Sequence, residues 1–132
     1  MSPTQMDAKA FLERLPELVN GNEALVRRGR FLTVQFLVEV GDIAYLVSVM
    51  EGRIVRVERG PFLLRSWTFA LRAPLEAWQR FREPVPLPGY HDLFAMTKQG
   101  QARIEGDLQP LMSNLLYIKD ILAAPRRLAQ EF

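Results

Sequence analysis

Between Phe31 and Val40 the chain alternates strictly. Leu32, Val34, Phe36, Val38 and Val40 fall on one side of an extended backbone. Phe31, Thr33, Gln35, Leu37 and Glu39 fall on the other. A period of two fits a strand and no helix. One side is wholly apolar and the other mixed, as in an antiparallel sheet covered on a single face. This run therefore needs partner strands and a covering layer, and the rest of the chain has to supply both.

The partners follow directly. Gly41-Asp42 turns the chain into a second β-rich run, Ile43 to Met50, and Glu51-Gly52 turns it again into a charged run, Arg53 to Glu58. Two tight turns between three short β runs make a meander of hairpins. Gly60-Pro61 breaks the pattern, and Leu63 to Arg72 reads as a fourth strand with Leu63, Arg65, Trp67, Phe69 and Leu71 on one face. A short fifth strand is expected over Ala102 to Glu105.

The covering layer is read from the helical spacings. Asp7 to Val19 carries an apolar stripe at Ala8, Phe11, Leu12, Leu15, Leu18 and Val19, with Pro16 able to kink or split it. Asn20-Gly21-Asn22 stops it, and Glu23 to Gly29 is a short second helix or a charged connector. Pro74 can open a helix whose face is Leu75, Trp78 and Phe81. The segment Glu83 to Gly89 is too rich in proline for regular structure. Tyr90 to Gln99 returns to helix with Leu93, Phe94, Met96 and Thr97 inward, and Gly100 ends it. Leu108 to about Ala123 reads as one last helix, closed by Pro125. The order predicts an α+β fold: a five-stranded, mixed or largely antiparallel sheet with helices on one face.

Length and composition restrict function. A chain of 132 residues is about one domain, expected to span 1–132 with its core in roughly 7–123. The absence of cysteine excludes disulfides, cysteine–zinc sites and thiol catalysis. No signal peptide, no peroxisomal tail and no apolar run of about eighteen residues is found, so a cytoplasmic protein is expected. A net charge of +2 is too small to argue for nucleic acid. The charge is nearly all arginine, and the groups Arg27-Arg28-Arg30 and Arg53-Arg56-Arg59 read as a solvated rim that could also touch an anionic surface.

Enzyme signatures are sparse. His91 is the single histidine. Beside Asp92 it reads as a helix-start residue rather than a base, since no nucleophile lies near it in sequence. Glycines never form a phosphate-loop or dinucleotide fingerprint. Glu105 and Asp107 flank Gly106 as a turn and a helix cap, not as an acid–base pair. Neither a catalytic residue, a metal site nor a cofactor is expected. Large rings and thioethers are the surplus in the C-terminal half. Trp78, Phe81, Phe94, Met96, Met112, Leu115 and Leu116 recur at spacings of three and four on helices that must cover one small sheet. Their faces converge, and they line a ligand cavity or, alternatively, form plain core.

The segment Gly100-Gln101-Ala102-Arg103-Ile104-Glu105-Gly106-Asp107 before an apolar helix resembles the C-terminal signature of the sterol carrier protein family, the non-specific lipid transfer proteins. Trp67-Thr68-Phe69-Ala70-Leu71, followed by Pro74 and Leu75-Glu76-Ala77-Trp78, resembles that family's strand and tryptophan-bearing helix. Glu51-Gly52 before Ile54-Val55 resembles its early turn. The resemblance covers roughly residues 10 to 123. It implies a five-stranded, largely antiparallel sheet, helices over one face and a hydrophobic tunnel between them. The tunnel would hold a fatty acyl chain, acyl-CoA, sterol, phospholipid or quinone-type lipid, and the protein would be a stand-alone bacterial-type carrier rather than an enzyme. It also leaves open an accessory or dimerisation module for a partner enzyme of quinone or lipid metabolism. The partners it implies are an apolar lipid and a partner enzyme or a second copy, while transient contact with an anionic membrane surface is expected from the two arginine groups. The proline-rich connector Glu83 to Gly89 departs from the family's shorter link and would alter the tunnel mouth.

Overall fold

The computed structural model describes residues 12–126. The start of the first expected helix, with Ala8 and Phe11, lies outside the described residues. Two short helices come first, α1 (Leu15–Asn20) and α2 (Glu23–Arg28). Pro16 sits in the first turn of α1, where its missing N–H costs nothing. The Asn22 side chain accepts from Leu25 N at 3.2 Å and so caps α2. The meander follows as β1 (Val34–Val40), β2 (Ile43–Met50) and β3 (Arg53–Arg59). The chain then forms β4 (Phe69–Ala73), α3 (Leu75–Phe81), α4 (Leu93–Lys98), β5 (Arg103–Gly106), α5 (Gln109–Ser113) and α6 (Leu115–Ala123).

The sheet runs β3-β2-β1-β4-β5. Neighbours are antiparallel except for β1 and β4, which are parallel. The sheet is therefore mixed. This corrects the expectation of a fourth strand over Leu63 to Arg72. Only Phe69–Ala73 joins the ladder, and residues 60–68 form a crossover. Since β3, β1 and β4 all point the same way, the chain must travel back along the sheet before β4 can start. It does so across the outer face. Gly60 N donates to Ala44 O at 2.7 Å, Arg65 pairs with Glu58 at 2.7 Å, and Thr68 N donates to Gln35 O at 2.8 Å.

The inner face matches the alternation. Leu32, Val34, Phe36, Val38 and Val40 are all buried and join one core with Tyr45, Val47, Val49, Ile54, Phe69 and Leu71. The Phe36 and Phe69 rings stack at 5.0 Å. The helices close over this face. Trp78 donates its indole N–H to Glu39 O at 2.9 Å, which fixes α3 against β1. A bulge lies between β2 and β3, where the register slips at Ser48/Val49. There the Asn20 side-chain amide bonds both the N–H of Ile54 (2.8 Å) and its carbonyl (2.9 Å), joining the end of α1 to β3.

The last expected helix is two. Asn114 breaks it with φ −126° and ψ 33°, and its side chain donates to Pro110 O at 3.1 Å. A side chain bonding a nearby carbonyl competes with helix continuation. Before it, Gly106 (φ +99°) brings its Cα so close to Thr68 O and the Phe69 backbone that a side chain would collide with them. Asp107 then accepts from Gln109 N at 3.1 Å and starts α5.

Candidate functional site

The helical layer meets the sheet through a floor of large side chains. Trp78 and Phe81 project from one face of α3 and contact edge to face at 5.7 Å. Met96 enters from α4, and Leu111, Tyr117, Ile118, Ile121 and Leu122 enter from α5 and α6. Trp78, Phe81 and Met96 are thus brought together in the interior, and Leu115 packs against it. Phe94 is half-buried, with Lys119 Nζ 5.1 Å from its ring centroid. Met112 and Leu116 point outward instead, 55% and 67% exposed. The break at Asn114 explains them. It shifts the helical phase so that Leu111 and Tyr117 face the sheet in their place.

Two clefts flank α6 and share Asp120 and Ala123. One, of about 270 Å³, lies toward α1 and α2 and is lined by Leu18, Leu25, Ala123 and Ala124, with Arg28 and Asp120 ion-paired at its rim. The other, of about 140 Å³, lies toward α3 and α4 and is lined by Phe81, His91, Asp92, Leu93, Lys119 and Arg126. Both are open at the surface. The tunnel implied between sheet and helices is not seen among the described residues. His91 is exposed, and its carbonyl accepts from Arg126 at 2.9 Å. Arg126 also stacks over Phe81 at 4.5 Å, and burial pulls its pKa below the usual arginine value. Lys119 pairs with Asp92 at 2.9 Å, so this rim is charged but compensated.

Two tyrosines place polar atoms in an otherwise apolar interior. Tyr117 Oη donates to Gly52 O at 2.5 Å, and burial pushes its pKa up to about 12. Tyr45 Oη is buried with no hydrogen-bond partner among the described residues, and burial raises its pKa as well. An unpartnered buried hydroxyl costs stability unless something bonds it.

Sequence reasoning missed the α1–α2–α6 cleft. Its apolar wall comes partly from small residues, Ala123 and Ala124, which look like any helix surface. The one available signal was their position, each four residues beyond Lys119 and Asp120 respectively, on the same turn as buried Ile121 and Leu122.

No family model matches the chain, and no curated protein matches it. Solved structures do. A crystal structure of sterol carrier protein 2 superposes with a TM-score of 0.70 at 14% identity, covering 89% of this chain and 94% of that one. A solution structure from Thermus thermophilus, of a conserved hypothetical protein described as possibly sterol carrier protein, gives 0.64 at 13% identity, covering 92% and 87%. The ubiquinone synthesis protein UbiJ-SCP2 gives 0.57 at 17% identity, covering 100% and 98%. The chain therefore has the fold of sterol carrier protein 2.

Proposed function

We propose that this chain is a single-domain, non-catalytic carrier of an apolar lipid, acting in the cytoplasm, with the ligand held between α6 and the floor made by Trp78, Phe81 and Met96. The observation that carries this is the pair of clefts on either side of α6. They share Asp120 and Ala123, and the second reaches Phe81 at the edge of that floor, so a small outward movement of that helix would join them there. Phe94 and Leu115 would then border the opened space. The fold of sterol carrier protein 2 supports the reading, because the name of that protein describes a carrier.

Native mass spectrometry of protein purified from cells tests it. Retained lipid is expected, and the delipidated protein should bind a fluorescent fatty acid at a fixed stoichiometry. Affinity should rise with chain length, since each buried methylene contributes about 0.8 kcal/mol. Protein that carries no lipid and binds no fatty acid would end the proposal. The second reading is an accessory or dimerisation module for a partner enzyme. The likeness to UbiJ-SCP2 over the full length of this chain favours it enough to test. It predicts a mass that depends on concentration or on an added partner, without lipid.

A further inference from the structure

The exposed apolar side chains are unevenly distributed. One end of the sheet is where β1, β3 and β4 begin and β2 and β5 finish. Phe31 precedes β1 there and is 85% exposed. Met50 and Val55 flank the 51–52 turn and are also exposed. Leu108 follows β5 at the same end. The bond from Tyr117 to Gly52 holds the start of α6 against that turn, which brings Leu116 there, with Met112 one turn earlier. These side chains come from separate elements and project from one end.

The charge at this end is positive. Arg27, Arg30 and Arg53 are exposed and have no carboxylate partner among the described residues. Arg30 lies over the Phe31 ring at 4.4 Å and donates to Arg27 O at 2.7 Å. Close contact of Gly52 with Val26 and Gly29 sets Arg27 and Arg30 beside Arg53. Against them stand Glu51 and Asp107, the latter engaged with Gln109 N.

We infer that this end of the sheet docks on an anionic lipid bilayer. Protruding apolar side chains enter the boundary between headgroups and acyl chains, and unpaired arginines around them meet phosphate. Arginine and methionine are common at protein interfaces as well. A bilayer is favoured here because Arg27, Arg30 and Arg53 surround the apolar side chains with no carboxylate partner among the described residues, a charge that lipid phosphates meet. Docking here does not depend on lipid being carried in the interior. A chain that retains no lipid would still bind vesicles.

Sedimentation of the full chain with vesicles tests this. Binding is expected to phosphatidylcholine vesicles containing phosphatidylglycerol, to fall with added salt, and to be absent with phosphatidylcholine alone. Each arginine near the surface is worth about fivefold in affinity. Arg30→Gln and Arg53→Gln should each weaken binding by that factor, and Arg27→Gln supplies a third charge variant on exposed helix surface. Phe31→Ser and Leu116→Ser should weaken binding with the thermal midpoint retained. Arg103→Gln, at the opposite end, should bind as the parent does. Absence of binding to the anionic vesicles, or binding that ignores these substitutions, overturns the inference. So does self-association, without vesicles, that the same substitutions abolish.

Discussion

The two faces of this sheet are made by the same strands and solve burial differently. On the inner face every strand residue around Phe36 is apolar, and helices cover it. On the outer face one row is apolar, Leu46, Leu37 and Ala70, and all three are buried without joining the helix-side core. The crossover 60–68 passes over that face. Beside the row lie Gln35 and Ser48, hydrogen-bonded at 3.2 Å, and Arg72, paired with Glu39 and Glu105. Where the crossover leaves the sheet, a groove of about 610 Å³ opens between Gln35, Ser48, Arg56 and Trp67. A helical layer demands a whole apolar face, whereas a single crossing segment demands one apolar row and tolerates ions beside it.

Substitutions can break this contrast or sharpen it. Phe36→Asp puts an unpartnered charge under the helices and should cost about 3–5 kcal/mol. An unchanged thermal midpoint would show that this face is not the covered one. Leu46→Ala probes the outer row. If the crossover seals it as core, the loss should be about 2–4 kcal/mol in denaturant unfolding, and a loss near zero would mean the row is only shaded.

Tyr117 tests the seal of the helical layer by pH. Its pKa is raised from the ordinary value of 10.0 to about 12 in the folded chain. The group binds its proton more tightly when folded, so its stabilisation is complete below pH 10 and is lost as pH rises toward 12. About 2–3 kcal/mol should disappear across that window. Tyr117→Phe should flatten the alkaline slope, and an equal slope in the variant would contradict the burial. The smallest effect is expected outside. Arg72→Met removes two partly exposed ion pairs and should change stability by about 1 kcal/mol or less, measured by thermal midpoint at low and high salt.

The inner face was legible because its alternation is unbroken and its turns are marked by Gly41 and Gly52. The outer face was not. Arg65 and Trp67 continue the alternation that leads into Phe69 and Leu71, so they read as one strand. In the fold, Arg65 pairs with Glu58 and the Trp67 ring meets Arg72 on the outer side, while Phe69 and Leu71 face inward. A crossing segment lays one side against a sheet and so alternates as a strand does, without ladder partners. Leu64, 98% exposed with φ +57°, marks it as no strand. The candidate site was half legible for a related reason. Trp78, Phe81 and Met96 lie on short helices whose phase is plain. Met112 and Leu116 depended on continuity through Asn114, and one local hydrogen bond removed it.

The grip of Asn20 on Ile54 bears on how copies of the chain meet one another. β3 is an outermost strand, and an outermost strand invites a neighbour to extend the sheet indefinitely. Here an amide from α1 already occupies the donor and acceptor that such a neighbour would need, the bulge bends the strand beside them, and Arg53, Arg56 and Arg59 would confront their own images. The β3 border of the sheet is guarded against fibre growth by a single side chain, a local twist and like charge.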